Sequence, residues 1–248
     1  MKIMIIGAHP ADGVDLAGGT VCLHSQKGDE VIGVALTSGI HSHTIDSMTD
    51  YKAGELREIK QLEFKNAWGV LGVGETCLLG FRDEPLTATF APILDIVELI
   101  RKHRPDMVIT HHPNEYAHWD HSACGQMVCR ALKSAVKLEG NKHWVNTVYF
   151  FGVQFRPETI RIGALPQPPD VLVDISEVIS SKVNAMLYFE SQGHNDINAM
   201  WSRMNSFESE MGRADGLKYS EGFILYYPLK VKLLPKNEMG GFYNIKEE

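Results

Sequence analysis

The chain opens with Lys2-Ile3-Met4-Ile5-Ile6-Gly7-Ala8-His9-Pro10-Ala11-Asp12-Gly13 and continues Val14-Asp15-Leu16-Ala17-Gly18-Gly19-Thr20. Residues 2–8 are nearly all apolar, as a strand buried on both faces must be. The run ends in a histidine and an aspartate three residues apart, with Pro10 stiffening the turn between them. A helix is expected over 14–27, stopped by Gly28-Asp29. This strand–turn–helix unit suits delivery of metal ligands to the rim of a sheet.

The same alternation recurs along the chain. Strands are expected at 30–37, 76–79, 106–110, 145–153, 171–175 and 223–227. Helices are expected at 52–71, 90–103, 118–138, 177–192 and 195–211, where apolar residues recur at helical spacing. This order predicts a single-domain α/β fold, Rossmann-like, with a mostly parallel doubly wound sheet, flanking helices and right-handed crossovers. No linker or repeat divides residues 1–248. The Pro-rich piece at 164–170 reads as a surface loop, and the acidic tail at 244–248 as frayed. In such sheets ligands bind beyond the carboxyl ends of the strands. The loops at 9–13, at 38–50 and after 106–110 should therefore meet, and they carry most of the eleven histidines.

The 248 residues carry a formal charge of −7 with no basic stripe, which argues against nucleic acid as a partner. No apolar run approaches the roughly 20 residues of a membrane span. No signal peptide opens the chain, so a cytoplasmic protein is expected. Cys22, Cys77, Cys124 and Cys129 then read as reduced thiols. No G-x-S-x-G elbow is present, and Gly18-Gly19 lies too far into the first helix for a phosphate loop. That glycine pair is expected to pack the helix closely on the sheet.

Zinc takes imidazole and carboxylate ligands and keeps a position open in catalytic sites. His9 and Asp12 supply one half of such a site. His118-Trp119-Asp120-His121 supplies the other, since positions i and i+3 share a helix face. Other divalent ions suit the same mixed set. Asp120 is placed to orient a neighbouring imidazole. Arg82 and Asn114 follow strands near this point and are candidate substrate contacts. The expected partner is a small polar metabolite, and homo-oligomerisation is left open.

These motifs resemble those of the LmbE/PIG-L superfamily of metal-dependent de-N-acetylases. That superfamily has A-H-P-D-D-E followed by a glycine pair, and later H-P-D-H or H-x-D-H. Leu36-Thr37-Ser38-Gly39, Lys60-x-x-Glu63, Leu79-Gly80-Phe81-Arg82-Asp83 and, more loosely, Tyr219-x-Glu221-Gly222-Phe223 fit the same pattern. The likeness is strongest over residues 1–130. It implies His9, Asp12 and His121 as metal ligands. It implies His118 as the imidazole that stabilises an oxyanion or protonates the leaving group, held in place by Asp120.

Two positions depart from the pattern. The superfamily's general base falls on Ala11, and the glutamate that follows the two aspartates falls on Gly13. A general base contributes about 10²–10⁴-fold. His43 or His41, in the loop after the second strand, is the expected replacement, since an unperturbed imidazole side chain has a pKa of about 6.5. The first reading is therefore hydrolysis of an N-acyl (acetyl) group from a small amino sugar or similar metabolite. The alternative is a metal-dependent hydratase acting on an unsaturated di- or tricarboxylate, since the branch resembling 4-oxalomesaconate hydratase carries A-H-x-A-D. Against that branch, the chain keeps His118. A third reading is a catalytically impaired ligand-binding member.

Overall fold

The computed structural model describes residues 1–48, 50–116, 118–152, 167–213 and 215–237. The strands are β1 (Lys2–Gly7), β2 (Glu30–Thr37), β3 (Glu75–Phe81), β4 (Met107–Thr110), β5 (Thr147–Phe151), β6 (Val171–Asp174) and β7 (Ser220–Leu225). The α-helices are α1 (Asp12–Gln26), α2 (Ala53–Val70), α3 (Phe90–His103), α4 (Trp119–Lys137), α5 (Ile179–Met186) and α6 (Ile197–Arg213). The seven strands form one sheet in the order β3-β2-β1-β4-β5-β7-β6. Pairing is parallel from β3 through β5, whereas β7 runs antiparallel to both β5 and β6.

The alternation within β1 sorts the core into two layers. Ile3 and Ile5 face a cluster built from α1, α2, α5 and α6, including Val14, Phe64, Trp68, Val183 and Met204. Met4 and Ile6 face the other cluster, where α3 and α4 contribute Ile96, Ile100, Met127 and Ala131. Helices therefore cover both faces, which is why β1 and β2 are apolar along their buried lengths. The strand order reverses between β1 and β4. Ligand crevices form at such switch points, and His9 and His111 leave the sheet on either side of this one.

Several boundaries differ from expectation. The helix expected at 177–192 ends at Met186, and a short 3-10 turn, Glu190–Gln192, follows. The last strand lies at Ser220–Leu225 rather than 223–227. Val153 and part of the 164–170 loop lie outside the described residues, as does the whole 244–248 tail.

The glycines near the first turn do not all do what the sequence suggests. A Cβ on Gly19 would lie 2.6 Å from Ile175, and one on Gly18 would lie 3.2 Å from Lys182. The pair thus admits α5 and Ile175, the residue just past the edge strand β6, rather than the central strands. The Trp68 indole fills the space that a Cβ on Gly13 (2.6 Å) or Gly33 (2.5 Å) would need. Behind α1, buried Lys182 donates to Glu208 and to Glu221, each at 2.7 Å. Glu221 also accepts from the Gly19 and Thr20 backbone N–H groups at 2.9 and 2.8 Å.

Candidate metal centre

The β1–α1 turn and the β4–α4 loop bring His9, Asp12 and His121 together. One ligand atom from each lies within 4.8 Å of the others. His9 is 1% and Asp12 8% exposed, so neither group is hydrated as it would be on the surface. His9 Nδ1 lies 3.4 Å from Asp12 Oδ2, and His121 Nε2 lies 3.5 Å from Asp12 Oδ1. Both nitrogens are buried without a hydrogen-bond partner. Unpartnered buried nitrogens are costly unless something else satisfies them.

The surrounding hydrogen bonds fix the ring protons. His9 Nε2 faces Asp120 Oδ2 at 3.2 Å, and His121 Nδ1 faces Glu115 Oε1 at 2.8 Å. Carboxylates only accept, so these nitrogens donate, and in the neutral rings Nδ1 of His9 and Nε2 of His121 keep their lone pairs. Those are the two orphaned atoms. The donor set therefore fits a divalent ion, with each imidazole backed by a carboxylate in the usual way. Without an ion, burial lowers the pKa of both rings, but Asp12 and the backing carboxylates outweigh it. His9 is raised to about 9 and His121 to about 10. Asp12 is held well below the usual carboxylate range: burial raises it, but His121, His9 and His111 outweigh this.

Two further groups join the site without a role in the sequence motifs. His111, at the end of β4, places Nε2 2.9 Å from Asp12 Oδ2 and Nδ1 3.2 Å from Glu115 Oε2. Its ring stacks on His121 at 4.0 Å. Glu115 thus supports both rings. Burial raises its pKa, but hydrogen bonds from His111 and His121 hold it at about 2. Their signal in the sequence is position: His111 directly follows an apolar strand, and Glu115 sits four residues on.

His118 is the N-cap of α4, and its Nδ1 accepts the Asp120 backbone N–H at 3.2 Å. The neutral ring therefore carries its proton on Nε2 and presents a donor. Its centroid lies 4.8 Å from that of His9 and 4.9 Å from that of His121. Burial, then the neighbouring His9 and His121, lower its pKa to about 4. The expectation that Asp120 holds His118 needs correction. The Asp120 carboxylate turns to His9 and accepts the Glu84 and Leu86 backbone N–H groups at 3.0 and 2.7 Å.

Only one of the two candidate bases enters the site. His43 lies 4.5 Å from His9 and 5.2 Å from His118, centroid to centroid. Burial, followed by the charge of His9, lowers its pKa to about 4, below the near-neutral value expected of a replacement base. His41 is exposed and uses its backbone N–H to reach Asp83. Ala11 is buried as the N-cap of α1 and offers no polar side chain. Arg82 is exposed. Asn114, also exposed, lines a cleft of about 290 Å³ beside Glu115 with Tyr116, Trp119, Ser122 and Gln126.

The sequence profile of the PIG-L family, described as GlcNAc-PI de-N-acetylase, matches residues 4–132. The chain belongs to the PIG-L family. The matched span holds every residue of the candidate centre described above. A diacetylchitobiose deacetylase of Thermococcus kodakarensis is 28% identical over 226 residues, covering 89% of this chain and 81% of that protein. A probable N-acetyl-alpha-D-glucosaminyl L-malate deacetylase 2 of Bacillus cereus is 27% identical over 192 residues, covering 77% and 83%. The PIG-L relatives thus include deacetylases of amino sugars, and they also include a 4-oxalmesaconate hydratase. The fold matches the crystal structure of GalB, the 4-carboxy-2-hydroxymuconate hydratase from Pseudomonas putida. The TM-score is 0.78 at 21% identity, with 94% of this chain and 99% of that one covered. Among the described residues, no helix is long and apolar enough to cross a membrane.

Proposed function

We propose that this chain is a metal-dependent hydrolase that removes an acyl group from the nitrogen of a small amino sugar. The observation that carries the reading is the pair of orphaned lone pairs, His9 Nδ1 and His121 Nε2, converging on Asp12 beside a neutral His118 that can donate from Nε2. The deacetylase names among the relatives support it.

His9, Asp12 and His121 would hold the ion, zinc by preference. A bound divalent ion supplies Lewis acidity and lowers the pKa of a water. The rest falls to the side chains. His43 is the neutral imidazole within reach that can accept a proton from the attacking water and return it to the departing nitrogen. His118 Nε2–H hydrogen-bonds the oxygen that gains charge as the acyl carbon turns tetrahedral. Glu115, Asp120 and His111 keep the ligand rings in place. The products are a carboxylate and a free amine. In the adjacent cleft, exposed Tyr116 and Trp119 offer aromatic faces and Asn114, Ser122 and Gln126 offer polar groups, a combination that suits a sugar ring.

The second reading, a hydratase, is favoured by Ala11, which leaves the superfamily's usual base position without a proton acceptor. The buried ammonium of Lys60 does not support it. That group is committed to the His43 carbonyl oxygen and Ser191 Oγ, at 2.6 and 3.0 Å, rather than turned toward an acidic substrate.

Zinc-reconstituted protein should release acetate and a primary amine, in equal amounts, from N-acetylglucosamine or diacetylchitobiose. No amine across an amino-sugar panel, with loss of ultraviolet absorbance from an unsaturated tricarboxylate, would replace the first reading with the second.

A further inference from the structure

We propose that Ser42 and Asp83 set the tautomer of His43, keeping its proton on Nδ1 and its lone pair on Nε2. They are positioning residues for the reaction read above, and the kinetic part of this inference rests on that reading.

Counting protons fixes the tautomer. Asp83 is 1% exposed, and its Oδ2 lies 2.9 Å from each of three donors: the His41 N–H, the Ser42 N–H and the Ser42 hydroxyl. Burial raises the Asp83 pKa, but the Ser42 hydroxyl and these backbone groups hold it below the usual range, so it is ionised and can only accept. A serine hydroxyl has one proton. A bond to a carboxylate is stronger than one to a neutral imidazole nitrogen, so that proton goes to Asp83. Ser42 Oγ also lies 2.7 Å from His43 Nδ1. With its proton spent, Oγ can only accept, and Nδ1 must carry the hydrogen. The neutral His43 ring is then left with its lone pair on Nε2.

The backbone holds this chain of bonds in place. The Lys60 ammonium donates to the His43 carbonyl oxygen. Ile45 N–H donates to the Ser191 carbonyl oxygen at 3.0 Å, and Ser191 N–H and Oγ–H are both held by the Glu63 carboxylate, at 2.7 and 2.6 Å. The loop is thus tied to α2 and to the 3-10 turn at Glu190–Gln192. Asp83 reaches it from the end of β3.

The arrangement also separates two imidazoles that composition alone would treat alike. His118 is locked by a backbone N–H at Nδ1 and presents Nε2–H. His43 is locked by a hydroxyl oxygen at Nδ1 and presents a bare Nε2. One is fixed as donor and the other as acceptor. For the same reason His118 does not serve as a third imidazole ligand with His9 and His43, although a ligand atom of each lies within 4.8 Å of the others.

Two-bond ¹H–¹⁵N correlation spectra of the histidine side chains test the proposal, on both zinc-free and zinc-loaded protein. The wild type should show His43 protonated at Nδ1. Ser42→Ala should shift His43 toward the Nε2–H form, and Ser42→Thr, which keeps the hydroxyl, should restore the wild-type pattern. The kinetic counterpart is a loss in kcat of about fivefold in Ser42→Ala, the worth of one neutral hydrogen bond, with KM within about twofold. His43 protonated at Nε2 in the wild type, or an unchanged spectrum in Ser42→Ala, would overturn it. Absence of amine release by the wild type would count against the deacylase reading alone, because the spectra report the tautomer whatever the reaction.

Discussion

Glu115→Gln removes a charge and changes almost nothing of shape. In the wild type the carboxylate accepts from His121 Nδ1 at 2.8 Å and from His111 Nδ1 at 3.2 Å. A glutamine has one carbonyl oxygen and one amide nitrogen, so it can accept from one ring only. Where its amide faces His121 Nδ1 it donates, and the ring must move its proton to Nε2, the atom proposed to bind the ion. A hydrogen bond to a charged group is worth about 1.5–3 kcal/mol. At about 1.4 kcal/mol per decade, zinc affinity should fall by about tenfold to a hundredfold. That matches the usual effect of removing a carboxylate behind a ligating histidine. The assay is zinc competition against a chromogenic chelator at neutral pH, with circular dichroism to confirm folding. Asn114→Ala, one residue away and exposed, serves as the control and should bind zinc as the wild type does. A Glu115→Gln protein that is folded and binds zinc within twofold of wild type would refute the ligand assignment of His121.

Three further outcomes follow from the same geometry. His43→Ala should lower kcat by about 10²–10⁴-fold, as expected for a lost general base, while His41→Ala should stay within about twofold; equal effects would remove His43 from the reaction. Trp119→Ala should raise KM severalfold for a disaccharide substrate with little change in kcat, and unchanged steady-state kinetics would show that the aromatic cleft does not meet the sugar. Lys182→Met should destabilise the fold by about 3–5 kcal/mol in urea unfolding, because Glu208 and Glu221 would lose their buried counter-charge; a loss under about 1 kcal/mol would mean the triad is not a closed network.

The sheet is legible in the sequence because its strands are apolar on both faces, and β1, β2 and β4 show it most clearly. The first turn is legible because its histidine and aspartate directly follow β1, and the 118–121 segment because its two histidines open the helix after β4. The errors have physical causes. Sequence adjacency points Asp120 at His118, but residues two apart do not share a helix face, so its carboxylate crosses to His9 and the loop after β3. Nothing local separates His41 from His43. The choice is made by Asp83, some forty positions away, which binds the backbone at 41–42 and so turns only the second ring inward. The Lys182–Glu221 network is equally hidden, since its partners come from α5, α6 and β7. His111 is visible as a histidine at a strand end, but its support of Asp12 depends on the β1–β4 pairing.

The Trp68 indole over Gly13 ties the opening motif to a helix far from it in sequence. The glutamate that the superfamily carries at that position has no room here, because its Cβ alone would lie 2.6 Å from the Trp68 ring. Gly33, on the neighbouring strand, is closed to larger residues by the same ring. A larger residue at Gly13 or at Gly33 therefore demands a smaller one at 68. An engineer restoring the superfamily's motif would have to rebuild the contact between α2 and the sheet first. The large indole works as a ratchet: while it sits over two glycines, no single substitution returns an acidic side chain to position 13.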